Sequence, residues 1–166
     1  MTVTLRPIAD CDLGRLAAWR NDPRVHRFFF SDGPIDPARQ GEWLDSVRRD
    51  ESRRFFAIEA DGDFAGTIAL DRIDVRNRSG ELGNMLVDPG RQARGLGREA
   101  VARLLDFAFF DARLERVELR VFADNEVAIR LYEACGFRRE GVERGAVLRE
   151  GRRRDVLRMA ILSGER

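Results

Sequence analysis

Glycines and arginines are concentrated in one loop, residues 87–97, and this composition could bind a diphosphate. The loop follows an apolar segment typical of a strand, residues 82–87, and precedes a segment with helical periodicity, residues 98–111. The first N–H groups of a helix have no partner within it, and that end carries partial positive charge. Because Gly95 and Gly97 lack a Cβ atom, a bulky anion can approach these N–H groups. Three arginines add positive charge around them: Arg91, Arg94 and Arg98.

Two nucleotide-binding motifs compete for this loop. The phosphate-loop pattern GxxxxGK[ST] is excluded because Arg and Glu follow Gly97 where Lys and Ser or Thr are needed. The dinucleotide pattern GxGxxA matches residues 95–100, and Glu115 lies 20 residues after its first glycine. In that fold, however, the glycines follow the strand directly, whereas here residues 88–94 intervene. The preceding segments are also typical of consecutive strands rather than of strand–helix units, so the dinucleotide fold is disfavoured.

Two motifs resemble those of the GNAT family of N-acetyltransferases. The first is Gln92-Ala93-Arg94-Gly95-Leu96-Gly97, which is similar to the family's Q/R-x-x-G-x-G/A acyl-CoA loop. The second, residues 125–137, resembles its N-x-x-A-x-x-x-Y-x-x-x-G-F segment. The opening Leu5-Arg6-Pro7 and Trp19-Arg20-Asn21-Asp22 resemble the branch of ribosomal-protein N-terminal acetyltransferases and related small-amine enzymes. The resemblance covers nearly the whole chain and implies direct transfer of acetyl from acetyl-CoA to a primary amine within a ternary complex.

The elements that must position these motifs follow from periodicity and turn signals. Strands are predicted at residues 2–6, 54–60, 64–75, 81–87, 115–122, 137–148 and 152–162. Helices are predicted from Asp10 or Asp12 to Asp22, from Asp36 to about Asp50, at residues 98–111, and from Asn125 to Gly136. With the resemblance, this order implies one α/β (α+β) domain over residues 1–166. We expect the GNAT fold, a mixed, mostly antiparallel sheet of about six or seven strands flanked by about four helices.

In the GNAT fold, the fourth and fifth strands splay apart and the pantetheine arm of CoA lies between them. We expect a bulge at Gly83 to open this gap. The resemblance implies that the backbone groups of Met85, Leu86 and Val87 bind the pantetheine amides and the thioester. It also assigns residues 92–98 to the pyrophosphate. Asn125 is predicted both to cap its helix and to contact the pantetheine arm.

Two residues are candidates for the proton transfers that amine acetylation needs. An alkylammonium, with a pKa of about 10.4, must lose a proton before it attacks, and the CoA thiolate gains from a nearby acid. Tyr132, the only tyrosine, falls where the family places its general acid, although helical spacing would also allow a core position. Glu81 lies where protein-acetylating members carry a base. The alternatives are a solvated carboxylate at Glu81 and a water chain as the base.

The acceptor site is predicted from the end of the first helix. By resemblance, Arg20 and Asn21 are the acceptor-binding candidates, while Trp19 is expected to be a core residue. His26, the only histidine, has no neighbour that would make a catalytic dyad and is expected at the surface or rim. The acceptor is either a small amine or a protein N-terminus. A different class of protein, a CoA-binding regulatory module without turnover, is disfavoured by Tyr132 and Glu81.

Composition narrows the remaining function classes. The chain has 166 residues, 30 basic against 29 acidic side chains and 43% hydrophobic content. This balance predicts neither nucleic-acid nor membrane binding, and the arginines of the last hairpin alternate with acidic residues. Two cysteines, Cys11 and Cys135, predict no disulfide framework and no metal site. The N-terminus has no signal-peptide core, so we expect a cytoplasmic protein, either a monomer or a homodimer.

Overall fold

A computed structural model describes residues 1–92 and 95–166 and contains one seven-stranded sheet. The spatial order is β1-β2-β3-β4-β5-β7-β6. The strands are β1 (Val3–Pro7), β2 (Arg54–Ala60), β3 (Asp63–Asp74), β4 (Ser79–Val87), β5 (Arg116–Phe122), β6 (Arg138–Arg149) and β7 (Arg152–Leu162). The α-helices are α1 (Leu13–Asn21), α2 (Pro23–His26), α3 (Gln40–Arg49), α4 (Leu96–Asp106) and α5 (Glu126–Ala134). The predicted GNAT fold class is therefore confirmed, with the short helix α2 as an addition.

Every neighbouring pair of strands is antiparallel except β4 and β5, which are parallel. Their pairing runs from Ser79 opposite Arg116 to Leu82 opposite Leu119. Beyond these four pairs the two described strands no longer face each other, although β4 continues to Val87 and β5 to Phe122. A helical crossover, α4, joins the two strands, as parallel pairing requires. The sheet thus opens into a gap between β4 and β5.

A bulge lies at the point where β4 leaves β5. Leu86 faces Thr67 of β3, but Gly83 faces Ala69, so β4 carries one extra residue over this stretch. The extra residue is accommodated at Asn84, which has a φ of 49°. This is a left-handed conformation that asparagine tolerates better than most residues. The Thr67 hydroxyl donates to the Asn84 carbonyl at 3.1 Å and fixes the turn. The bulge predicted at Gly83 is therefore found, with its left-handed residue one position later.

Apolar side chains cover both faces of the sheet. On one face, α4 and α5 pack against the sheet through buried residues that include Ala100, Leu104 and Ile129. On the other face, α1 and α3 pack through Leu16 and Leu44. Periodic apolar positions on each helix produce this arrangement, because a sheet must bury each apolar face against another layer. The two layers hold the β4–β5 gap between them.

Capping residues and turn signals in the sequence predicted most ends of the helices and strands correctly. The Asn125 side chain caps α5 as predicted, since its Oδ1 accepts the Ala128 N–H at 3.3 Å. The helix expected at residues 98–111 begins at Leu96 and ends in a π-helical turn, Phe107–Asp111. The segment after Asp36 forms a 3₁₀ turn, Pro37–Arg39, before α3 begins. No helix among the described residues is both long and apolar enough to cross a membrane.

The prediction that Asp10 or Asp12 caps the first helix is correct only in position: Asp12 directly precedes α1, but its side chain makes no capping hydrogen bond. Asp12 is buried and its carboxylate accepts two hydrogen bonds from the Arg6 guanidinium, at 2.6 and 2.9 Å. It also accepts the Ala9 N–H at 2.8 Å. Burial by itself would raise the pKa of Asp12, but these three bonds bring it below its ordinary value. The side chain therefore ties β1 to the start of α1 as an anion, instead of capping the helix.

We predict that Asp12→Asn lowers the free energy of unfolding by about 3 kcal/mol at neutral pH, because it leaves the Arg6 charge without its main partner. Since the pKa of Asp12 is depressed in the folded state, the bond contributes fully above the ordinary carboxyl pKa. The contribution is lost as pH falls through the folded-state value. Chemical denaturation of both proteins across a pH series measures this difference.

The matched control is Asp10→Asn, because the exposed Asp10 carboxylate pairs with Arg48 at 3.1 Å. A control variant as unstable as Asp12→Asn would contradict the assignment.

Candidate active site

The start of α4 presents backbone N–H groups at the edge of the gap. Gly95 precedes the helix with a φ of 78°, a conformation that glycine adopts without strain. Among the described residues, the first bond at this helix end is donated by Glu99 to the Gly95 carbonyl at 3.2 Å, and no described backbone carbonyl accepts the N–H groups of residues 96–98. A Cβ atom on Gly97 would lie 2.9 Å from Leu131 Cδ1 and 3.3 Å from Met85 Cε. Glycine at this position therefore lets α4 approach α5 and β4 closely.

The structure describes most of the predicted pyrophosphate loop. Gln92 lies exposed in a turn, and Arg98 is exposed on the first turn of α4. Leu96 is buried beneath the helix, so only its backbone can face a ligand. Arg91 pairs with Asp63 at 2.9 Å. Two of the predicted loop residues, Ala93 and Arg94, lie outside the described residues.

Backbone groups of β4 face the gap beyond the bulge. Leu86 and Val87 pair on one side with Thr67 and Gly66 of β3. On the other side, residues 83–87 have no strand partner within the described part of β5. N–H and C=O groups on this free edge are open to an extended ligand, which would bind as an added strand does. The predicted positions Met85, Leu86 and Val87 are part of this edge.

A cavity of about 380 Å³ lies where the gap opens. Its lining includes five residues named from the sequence: Arg20, Glu81, Met85, Asn125 and Tyr132. The lining does not include Asn21. That amide instead bonds both the N–H and the carbonyl of Ile35, at 2.7 and 2.9 Å, and so braces the segment after α2. The fold thus brings the acid, base and acceptor candidates of distant segments into one space.

Tyr132 lies both in the core and on the cavity wall. Only 7% of the residue is exposed, and its ring packs edge-on against Phe137 with the centroids 5.8 Å apart. Its hydroxyl has no hydrogen-bond partner among the described residues. Burial, with a smaller contribution from Cys135, raises the pKa of Tyr132 well above its ordinary value. The phenol therefore keeps its proton at neutral pH and can donate it.

Glu81 lies in β4 before the bulge, with 17% of its side chain exposed. Burial raises the pKa of Glu81 above its ordinary value, and this effect outweighs the opposing charges of Arg72 and Arg120. Arg72 Nη1 lies 3.0 Å from the carboxylate oxygen Oε2 and forms an ion pair with it. This oxygen is buried, and no described group donates a hydrogen bond to it. A carboxylate that is short of hydrogen-bond donors and has a raised pKa is a stronger base than an ordinary carboxylate. It is not a freely solvated charge.

Several cavity residues were not identified from the sequence. Phe28, Phe29 and Phe30 form an aromatic wall, and Asn84 and Asp71 line the side formed by the sheet. The run of three phenylalanines was a visible signal. Nothing in the sequence marked Asn84, whose importance follows from the register between β3 and β4.

Arg149 holds the aromatic wall in place from the far end of β6. It is 4% exposed and donates to the Ser31 carbonyl at 2.8 Å and the His26 carbonyl at 3.2 Å. It also pairs with the Asp32 carboxylate. The hairpin of β6 and β7 is thereby fastened to the segment that carries the three phenylalanines. In the described residues, no group of three or more His, Cys, Asp or Glu side chains is arranged to hold a metal ion.

The splayed parallel pair, the open start of α4 and the adjoining cavity define an acyl-CoA-dependent transferase. Comparison with known proteins leads to the same class of enzyme. A family model described as an acetyltransferase (GNAT) domain matches residues 2–138. The chain therefore belongs to the GNAT acetyltransferase family, as its motifs predicted, and is an N-acetyltransferase that uses acetyl-CoA as cosubstrate.

Individual relatives show the same likeness over nearly the full length. The spermidine N(1)-acetyltransferase of Vibrio cholerae is 30% identical over 169 residues, which cover 98% of this chain and 94% of that protein. The N-alpha-acetyltransferase RimI of Mycobacterium tuberculosis is 31% identical over 145 residues, 87% of each chain. A crystal structure of the Vibrio cholerae spermidine N-acetyltransferase with CoA and spermine has a TM-score of 0.92 at 29% identity. It covers 98% of this chain and 96% of that one.

We predict that Asn125→Ser weakens acetyl-CoA binding about 3- to 10-fold, the amount expected for one lost hydrogen bond. Serine keeps an oxygen that can cap α5 but lacks the amide N–H₂, which would be the group that contacts the pantetheine arm. Calorimetric titration with acetyl-CoA measures the change. The control is Asn125→Ala, which should also lose about 1 kcal/mol of unfolding free energy because the cap is gone. Unchanged affinity in Asn125→Ser would mean that Asn125 serves only as a cap.

Proposed function

We propose that this enzyme moves acetyl directly from acetyl-CoA to the primary amine of a small acceptor, with both substrates bound together. One observation carries the proposal: Glu81 and Tyr132, both with raised pKa values, line one cavity at the opening of the β4–β5 gap. A carboxylate that can take a proton and a phenol that can give one are the two groups that direct attack requires. A CoA-binding module without turnover would have no use for this pair.

The groups along the gap fit a CoA thioester. The N–H groups at the start of α4, with Arg98 beside them, are suited to the pyrophosphate. The free edge of β4 is suited to the amides of the pantetheine arm, and Asn125 lies on the same cavity wall. When bound, acetyl-CoA supplies an activated acetyl group as a thioester. The N–H groups of Met85 and its neighbours would hydrogen-bond the thioester carbonyl and make it a better electrophile.

Glu81 would prepare the acceptor. It takes a proton from the ammonium group, directly or through a water molecule, and leaves the nitrogen lone pair free to form the new C–N bond. A buried carboxylate with a raised pKa does this better than a solvated one, because its proton affinity lies closer to that of the amine.

Tyr132 would complete the transfer as the C–S bond breaks. Its hydroxyl gives a proton to the departing sulfur, which leaves as a thiol instead of a thiolate. The high pKa of the phenol keeps the proton available until that moment. The acetylated nitrogen gives its second proton to the tyrosinate, directly or through water, which restores Tyr132 and leaves the neutral amide. The proton taken up by Glu81 returns to solvent.

A small amine fits the cavity size, and a protein N-terminus is the second candidate. A second cavity, of about 550 Å³, adjoins the first and shares Arg20 and Asn84 with it. An extended peptide could occupy both. The named relatives include enzymes for a polyamine and for protein N-termini, so their names do not decide between the candidates. A cytoplasmic location and a monomeric or homodimeric state complete the proposal.

A thiol-release assay with acetyl-CoA tests the proposal. The panel contains spermidine, single amino acids, dipeptides and longer peptides with free N-termini. We expect amine-dependent release of CoA with at least one small amine, and a mass increase of one acetyl group on it. Tight CoA binding without release for any amine would instead favour the regulatory module.

We predict that Tyr132→Phe lowers kcat by about 100-fold or more, because it removes the proton donor but keeps the buried ring. The affinity for acetyl-CoA and the free energy of unfolding should stay near the wild-type values. The matched control is Phe137→Leu, which disturbs the same aromatic pair and should reduce stability while it retains the proton donor. Full turnover by Tyr132→Phe would assign Tyr132 to packing alone.

We predict that activity falls on the acidic side through a pKa above the ordinary carboxyl range, because Glu81 must be deprotonated to act and its pKa is raised. Glu81→Gln should lower kcat/KM by about 100-fold or more and abolish this acidic limb. Glu118→Gln is the control: the Glu118 charge helps to raise the pKa of Glu81, so its removal should move the limb to lower pH. An acidic limb that is unchanged in Glu81→Gln would favour a water chain as the base.

A further inference from the structure

Arg20 is a half-buried cation on the cavity wall, and no described carboxylate pairs with it. It lies in the last turn of α1, and its guanidinium carbon lies 3.5 Å from the centre of the Phe29 ring. Its one hydrogen bond to another described residue runs from Nη2 to the Ser31 hydroxyl at 3.2 Å. The Nε atom is buried without a partner.

Other charged groups of the cavity are already paired. Arg120 donates to Glu143 at 2.6 and 3.1 Å. The Asp71 carboxylate accepts from Arg53 at 2.8 Å and from the Asn84 amide at 3.0 Å. Among the described residues lining this cavity, Arg20 is therefore the cation whose charge no acidic side chain offsets. An acceptor that carried only positive charges would leave this guanidinium without an anionic partner.

The position of the Arg20 cation, away from most solvent and without an acidic partner, is energetically unfavourable. Burial lowers the pKa of Arg20 to about 10, which still leaves the side chain charged at neutral pH. Taking a cation out of water is unfavourable, and contacts with an aromatic ring and the end of a helix offset only part of that cost. An anionic oxygen group delivered by a ligand would recover more, since guanidinium pairs with it through two parallel hydrogen bonds.

We infer that Arg20 binds an anionic oxygen group of the acceptor, so that the substrate is a primary amine that also carries a carboxylate or a phosphate. This inference rests on the proposed acetyl transfer. Arg20 lines both the first cavity, which holds Glu81, and the second cavity. An acceptor in the first cavity could thus present its amine to Glu81 and its anion to Arg20. The acceptor class is then amino acids, dipeptides and amino phosphates, rather than polyamines.

Matched acceptor pairs test the inference in the full-length enzyme. One pair is 4-aminobutyrate and its uncharged amide, a second is a dipeptide and its C-terminal amide, and a third is phosphoethanolamine and ethanolamine. We expect kcat/KM to be about 10- to 100-fold higher for the anionic member of the preferred pair. In Arg20→Gln this preference should disappear, and Arg20→Lys should restore part of it. The preferred pair distinguishes a carboxylate from a phosphate.

Two controls distinguish a failure of the inference about Arg20 from a failure of the proposed acetyl transfer. Arg120→Gln removes a cavity guanidinium that is already paired, so it should affect both members of each pair alike. Product binding adds a readout that does not depend on turnover: with CoA present, the N-acetylated anionic acceptors should raise the melting temperature of the wild-type enzyme but not of Arg20→Gln. Equal kcat/KM within every pair, a preference for spermidine, or no product stabilisation would overturn the inference. Acetyl transfer to any amine would still support the proposed function, whereas CoA binding without transfer would contradict it.

Discussion

The active site of this enzyme depends on a single break in pairing, the separation of β4 from β5 after Leu82 and Leu119. A continuous sheet would leave no free strand edge for a pantetheine arm and no space between α4 and α5. Because β4 goes on for five residues without β5, its backbone groups need another partner, and an extended ligand can supply it. The same break admits Tyr132 from one side and Glu81 from the other into a common cavity. The site therefore forms where the backbone groups of β4 have no pairing partner in β5.

Local sequence signals predicted those parts of the site that short-range chemistry controls. Gly95 and Gly97 before an apolar helical repeat located the start of α4, and Asn125 located the start of α5. Features set by long-range register were predictable only in part. Gly83 indicated the bulge, but the register between β3 and β4 determines that the left-handed residue is Asn84, one position later. The role of Asp12 was missed for the same reason, since its partner Arg6 lies on a different element and helix capping was the nearer explanation.

Burial shifts the pKa values of the cavity's acids and of its guanidinium in opposite directions. For Glu81 and Tyr132, loss of solvent favours the protonated form, which makes Glu81 a stronger base and keeps the Tyr132 phenol neutral. For Arg20 it penalises the charged form, which the side chain nevertheless keeps at neutral pH. Arg149 makes this low-dielectric space possible, because it fastens the aromatic segment over the cavity through the carbonyls of His26 and Ser31. The catalytic and the specificity functions proposed here thus arise from one enclosed volume.

We propose that CoA binds along the free edge of β4 with its pyrophosphate at the start of α4. Hydrogen exchange measured by mass spectrometry, with and without saturating acetyl-CoA, reports on both segments. No described backbone carbonyl accepts the N–H groups of residues 96–98, and the β4 edge at residues 83–87 faces no strand of β5 in the described structure. We expect acetyl-CoA to slow exchange most strongly in peptides that contain these two segments. Unchanged exchange in them, with protection elsewhere in the chain, would show that CoA binds at another place.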